Sequence, residues 1–386
     1  MNEIFLCSRN GIKEYHLDSW PRRTKCKEGN LAYFYDHFGY EGYDIVVQMD
    51  ADHVPQENYL EEMIRPFVNE KVGYVSAPSI CDSNADKSWT ARGRLYAEAI
   101  MHGPLQIGYS NGYASLCIGS HYAVRTIALK AIGGIGPELA EDHSTTLMMN
   151  GHGWKGIHAF NAIAHGEGPP TVAACITQEF QWSRSLMILL LTEMPNFWRK
   201  LSPKLRFQFL FAQLWYPLFS LMFLLGTLLP IIALFSGEVW VSVIFFDFLL
   251  FSIPTAFSII AIIWYMKQNL WLRPSNSPIL SWEIILFQIL RWPLAFYGSI
   301  MGAITVINKK NPEFRVTPKG ESQNSLLSWT ILFPYIALIV ISALPGIFIQ
   351  QNNNAAGYHF FLLANVITYN ILIFCIIILN HYENKR

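Results

Sequence analysis

Tyr43-Asp44-Ile45-Val46-Val47-Gln48-Met49-Asp50-Ala51-Asp52 is a run of apolar and β-branched residues closed by two carboxylates. Such a run reads as a buried strand, and the acidic pair lies where that strand would end. The segment Asn58–Phe67 follows with helical spacing through Leu60, Met63, Ile64 and Phe67. Val72–Ala77 reads as a second strand, Trp89–His102 as helical, and Glu141–Asn150 as a helix opening on acidic residues. Alternation of strands and helices predicts an α/β domain with a mostly parallel sheet over residues 1–184.

The chain has 386 residues, 52% hydrophobic and only 15% charged, against about 25% charged in an ordinary soluble domain. Disordered, collagenous and coiled-coil classes are excluded. The formal net charge of +0 conceals an asymmetry: residues 1–204 hold 18 basic and 22 acidic side chains, and residues 205–386 hold 10 and 6. A nucleic-acid partner is not expected without a basic excess. Six scattered cysteines form no CxxC pair, so neither a zinc site nor a disulfide framework is expected. The polar, basic segment Met1–Lys27 has no signal-peptide pattern.

About 20 apolar residues cross a bilayer. Residues 209–235, 239–265, 327–349 and 358–379 qualify. A fifth stretch, 284–307, carries Arg291 and Pro293 and is flanked by the Lys- and Arg-bearing loops 266–282 and 308–325. By the positive-inside rule both loops face the cytoplasm, so 284–307 is expected to lie at the interface with Arg291 reaching for headgroups. Residues 185–204 are expected to be a second amphipathic surface segment, and 205–386 the membrane domain. Asp247, within the second span, reads either as a functional intramembrane carboxylate or as a residue near the outer end of the span.

Three constellations carry chemistry. Asp50-x-Asp52 at a strand end can hold a hard divalent cation that also takes phosphate oxygens, or be merely a solvated turn. Glu141-Asp142 at a helix start offers a general base, or merely acidic capping. Gln178-x-x-Gln181-Trp182 suits an indole stacked on a pyranose with amides bonding its hydroxyls, or an interfacial Trp.

Taken in order and ahead of the apolar spans, these signals resemble family 2 glycosyltransferases of the processive, membrane-embedded kind, such as cellulose, hyaluronan and chitin synthases. The matching stretches are Lys27–Leu31, Asp50–Pro55, Gly119–Arg125, Glu141–His143, Gly153–Gly156, Gln178–Trp182 and Phe314–Gly320. The last is similar to the gating loop of bacterial cellulose synthases. The resemblance implies a GT-A-like α/β glycosyltransferase domain followed by a polytopic α-helical membrane domain in a bacterial plasma membrane, with the catalytic half cytoplasmic. It implies Asp142 as general base, Lys27, Asp50, Asp52 and Glu141 around the nucleotide sugar, and Asp52 on Mg²⁺ or Mn²⁺. Gly119, Ser120, Gln178, Gln181 and Trp182 would meet the acceptor, and Phe314, Val316 and Thr317 would gate the donor pocket within segment 314–325. The implied partners are a UDP-sugar, the polysaccharide acceptor and product, the lipid bilayer and an accessory export subunit.

The chain departs from the family pattern at Gln181, where the family has Arg; Arg184 is the nearest substitute in sequence. The family's first nucleotide-binding strand has no counterpart in the residues before Lys27, so an N-terminally shortened chain is expected. A non-processive transferase acting on a lipid acceptor, a catalytically incomplete transferase-like subunit, and a transporter are the competing readings.

Overall fold

A computed structural model describes residues 26–238, 244–309, 328–349 and 356–383. The α/β half includes α1 (Cys26–Phe34), β1 (Ile45–Met49), β2 (Val54–Pro55), α2 (Tyr59–Ile64), β3 (Val72–Ser76), β4 (Ser79–Ile80), α3 (Trp89–Ala97), β5 (His121–Arg125), α4 (Thr126–Ala131), α5 (Glu141–Gly151), β6 (Lys155–His158), β7 (Ala164–His165) and α6 (Val172–Thr192). The apolar half comprises α7 (Pro203–Ser236), α8 (Phe245–Gln268), α9 (Trp282–Ile307), α10 (Trp329–Phe348) and α11 (Ala356–Glu383).

The strands form two mixed sheets, ordered β1-β5-β3-β6 and β2-β7-β4. The expectation of a mostly parallel sheet is corrected here. Only β3/β6 and β4/β7 are parallel pairs, and β5 lies antiparallel between β1 and β3. The reason is where β5 enters. Its first residue, His121, pairs with Met49, the last of β1, so β5 starts where β1 stops and runs back. This reversal brings Gly119 and Ser120 beside the acidic end of β1, and Asp50 N–H donates to the Ser120 carbonyl at 2.7 Å.

One face of the sheet packs Tyr59, Met63 and Phe67 over Val75 and Ala123. The other packs Tyr122, Val124, Leu129 and Leu147. Burial of such side chains stabilises by about 1.5–3 kcal/mol each. It also fixes the sheet on which the strand ends are presented.

Helix α6 starts where Thr171 Oγ1 accepts the Ala174 N–H at 3.2 Å, just after Pro169-Pro170. It continues without a break across position 184, so the expected division between 184 and 185 falls inside one helix. Ser202 caps α7, with Pro203 at its first turn and Gly237 at φ +70° closing it.

Among the described residues, five helices are long and apolar enough to cross a membrane: α7, α8, α9, α10 and most of α11. Four coincide with the expected spans, and α9 is the fifth. In α9, 44% of the most apolar window is buried inside the protein, against none in α8. Gly298 and Gly302 let α9 close on α6. A Cβ at 298 would lie 2.5 Å from the Phe180 carbonyl oxygen. Arg291 does not reach for headgroups, contrary to expectation. Its Nη2 and Nε sit 2.7 and 2.8 Å from Glu179 Oε2 of α6, and both side chains are buried. A guanidinium with a carboxylate in reach has no need of a headgroup phosphate.

The loop after α8 packs on the α/β half. Arg273 N–H donates to the Ala99 carbonyl at 3.1 Å, and its guanidinium stacks on Phe160 at 3.3 Å. Asp247 lies exposed in the first turn of α8. Phe314, Val316 and Thr317 lie outside the described residues.

Candidate active site

The turn leaving β1 carries Asp50, Asp52 and His53, with His53 N–H donating to the Asp50 carbonyl at 3.0 Å. One ligand atom from each of these three side chains lies within 4.8 Å of the others. Two carboxylates and an imidazole fit a divalent cation in ligand type and spacing. Asp52 Oδ2 also accepts the Glu167 N–H at 3.1 Å, which fixes its orientation. His53 is buried under Gly166, where a Cβ would run into its ring. Burial works to lower the His53 pKa, but Asp52 and Cys81 overcome it and push it up to about 9.

Lys27, from α1, joins this turn to two other elements. Its Nζ donates to Asp50 Oδ1 at 2.7 Å and to the Gly119 carbonyl, and it lies 3.8 Å from Glu141 Oε1. Burial favours loss of its proton, yet Glu141, Asp50 and Asp142 together raise its pKa. The lysine therefore stays charged.

Glu141 and Asp142 form the first turn of α5. Burial raises the pKa of both carboxyls, with Lys27 opposing in each case. Asp142 Oδ1 accepts the His143 N–H at 2.7 Å. Gly119 lies against Oδ2, where a Cβ would come within 3.1 Å. Around this point three carboxyl groups, Glu141, Asp50 and Asp142, face one lysine, a setting suited to taking up a proton.

Helix α6 supplies the remaining wall. Gln178, Trp182 and Ser185 share one face, at helical spacings of four and three. Ser185 Oγ accepts the Ala140 N–H at 2.9 Å, so this face is fastened to the residue preceding Glu141-Asp142. Trp182 is half-buried and Gln181 is buried on the adjacent side. Arg184 does not join the Gln178–Trp182 face. Two residues past Trp182 is a rotation of about 200°, which carries it to the far side of the helix, over Phe180.

Lys27, Asp50, Asp52, Gly119, Ser120, Glu141 and Asp142 thus converge from four segments. Gln178 and Trp182 reach the same region through Ser185, and through Arg94, which sequence reading missed. Arg94 has no local motif; only packing of α3 on α6 reveals it. His53 was within reach of the sequence, since it directly follows Asp52.

The profile of glycosyl transferase family group 2 matches residues 45–379. The chain belongs to this family. As a family group 2 member it has a GT-A-like α/β glycosyltransferase half and a half rich in apolar helices. Its curated relatives include cellulose synthase 2 of Novacetimonas hansenii, 24% identical over 307 residues, covering 78% of this chain and 18% of that protein. The UDP-forming cellulose synthase catalytic subunit of Xanthomonas axonopodis pv. citri (strain 306) is 24% identical over 176 residues, covering 44% of this chain and 24% of that one. The chain therefore spans about a fifth to a quarter of the length of these relatives. Among solved structures, the mannosyltransferase PcManGT from Pyrobaculum calidifontis, in complex with GDP-Man and Mn²⁺, overlaps with a TM-score of 0.46 at 15% identity, over 74% of this chain and 68% of that one.

Proposed function

We propose that this cellulose synthase-like hexosyltransferase moves a sugar from a UDP-sugar, most simply UDP-glucose, onto a growing β-linked polysaccharide with inversion, and exports the product. The observation that carries the reading is the meeting of Asp142, its pKa raised by burial, with Asp50–Asp52 on one side and the Trp182 face of α6 on the other.

In this reading the acceptor's chain end rests on Trp182 and Gln178. Asp142 takes the proton from its attacking hydroxyl, which a carboxylate of raised pKa does efficiently near neutral pH. The new bond forms between that oxygen and the anomeric carbon. The bond from the anomeric carbon to the diphosphate breaks, and its electrons leave with UDP. Lys27, Asp50 and Glu141 hold the donor side, and Gly119 and Ser120 keep Asp142 against the acceptor. A bound Mg²⁺ or Mn²⁺, held by Asp52 with Asp50 and His53 at hand, supplies charge neutralisation for the departing diphosphate.

Phe314, Val316 and Thr317 close over the donor in this scheme. Helix α9 lies at the membrane interface, as its burial against α6 and α3 favours. The catalytic half is cytoplasmic and the membrane is the bacterial plasma membrane, with an accessory export subunit beyond it. Gln181 favours a second reading, single transfer to a lipid acceptor, since an amide does not replace a guanidinium at a pyrophosphate.

Membrane vesicles carrying the chain, given radiolabelled UDP-glucose with Mg²⁺ or Mn²⁺, separate these readings. Labelled high polymer supports the first and labelled lipid the second. No transfer from any of several UDP-sugars, with Asp142→Asn making no difference, overturns both.

A further inference from the structure

Arg94 stands at the centre of a hydrogen-bonded path between the two sides of the site. Its guanidinium carbon lies 4.5 Å from the Trp182 ring centroid. Its Nη1 donates to Gln178 Oε1 at 3.2 Å. Its Nε donates to both oxygens of Glu98, at 3.3 and 3.2 Å. Glu98 in turn accepts from His102 Nε2 at 3.4 Å, while His102 Nδ1 accepts the Ser79 N–H at 3.4 Å. Ser120 Oγ donates to Ser79 Oγ at 2.8 Å, which closes the path to the loop that holds Asp142.

We propose that Arg94 is the positioning residue of the acceptor platform. Held by Glu98, it fixes the Gln178 amide and covers one face of the Trp182 indole, so that a sugar ring meets the surface left exposed. The inference rests on α6 being the acceptor wall, as proposed above. A planar fork is required. It must point one edge at Glu98 and another at Gln178 while lying flat on a ring, and a lysine ammonium cannot do all three. Burial favours ionisation of neither partner, yet Arg94 and His102 hold the Glu98 carboxyl down to about 2, so the anchor is charged throughout the working range.

The test uses the full chain in lipid nanodiscs, labelled with 5-fluorotryptophan, with the Trp182 ¹⁹F resonance assigned through Trp182→Phe. Cellohexaose and UDP with Mn²⁺ are titrated separately. Arg94→Ala is expected to shift or broaden the Trp182 resonance and weaken cellohexaose binding tenfold or more, with UDP binding within twofold of the parent. Arg94→Lys is expected to recover only part of that loss, and it decides the matter if Arg94→Ala does not fold. An unmoved resonance with unchanged cellohexaose binding overturns the proposal, as does loss of UDP binding in step with cellohexaose. If the parent binds no cellohexaose, the acceptor reading fails separately, and the resonance alone judges Arg94: moved, it positions Trp182; unmoved, it does not.

Discussion

Breaking the Glu179–Arg291 pair tests how α6 is held in place. Two nitrogens of Arg291, Nη2 and Nε, converge on one oxygen, Oε2, at 2.7 and 2.8 Å, and the Glu179 and Arg291 side chains are 1% and 8% exposed. At an effective dielectric of about 20, unit charges at that separation attract by about 6 kcal/mol. Desolvation costs several kcal/mol for each ion and offsets most of it. The pair as a whole is therefore expected to be nearly neutral for stability, whereas either ion alone is costly. Glu179→Met strands a guanidinium that cannot release its proton, a loss of about 3–5 kcal/mol. Arg291→Met leaves a carboxyl whose pKa burial already raises, and it escapes part of the penalty by protonation. The double variant sets a thioether against Phe287, Tyr216 and Phe219, the rings now around Arg291, and should return to within about 1–2 kcal/mol of the parent. Thermal unfolding in nanodiscs followed by near-UV circular dichroism reads this order. Glu179→Met should fall by about 5 °C or more, Arg291→Met by less, and the gap for Arg291→Met should narrow at pH 5. Single variants as stable as the parent, or a double variant as unstable as Glu179→Met, would refute the reasoning.

Asp142→Asn should lower the transfer rate by about 10²–10⁴-fold. Its folded pKa lies above the unfolded value, so stability is lost as pH rises; the amide should raise Tm at pH 7–8 and the difference should vanish near pH 4. Parent activity should likewise fall as pH drops through the raised Asp142 pKa, in an initial-rate profile. Asp52→Asn should raise the Mn²⁺ concentration needed for UDP binding by more than the roughly tenfold that loss of an outer ligand costs, measured by calorimetric titration. Gly298→Ala should cost about 1–3 kcal/mol, because its Cβ meets the rigid Phe180 carbonyl as well as Ser183; denaturant melts check it.

Much of the site was legible because its chemistry is local. Asp50, Asp52, Glu141 and Asp142 stand at the ends of elements whose apolar patterns are clear, and strand and helix ends are where function concentrates. What sequence could not show is contact between distant elements. Nothing beside Arg94 announces Trp182, and nothing beside Arg291 announces Glu179; a lone Arg in an apolar run reads as a membrane-surface residue until its partner is seen. The direction of β5 was likewise invisible, since an antiparallel strand and a parallel one have the same composition. The positions of α7, α8, α10 and α11 were readable because apolar length alone specifies them.

Helix α7 runs 34 residues, about 51 Å at the usual rise, against about 30 Å of hydrocarbon. Its first turns grip the catalytic half: Gln208 bonds both backbone groups of Ala114, at 2.9 and 2.7 Å, and Gln213 meets the His143 ring at 3.2 Å. Further along, Ser220 Oγ donates to the Trp292 carbonyl at 3.0 Å. One continuous helix, with Pro217 and Pro230 inside it, therefore acts as both ruler and gear shaft. One residue inserted between Gln213 and Ser220 would lift everything beyond it by about 1.5 Å and turn it by about 100°. Seven residues would turn it by only about 20° from register. A seven-residue insertion would nearly keep the facing but lift the far part by about 10.5 Å, so a length change of either kind should uncouple the helix of Asp142 from the apolar half.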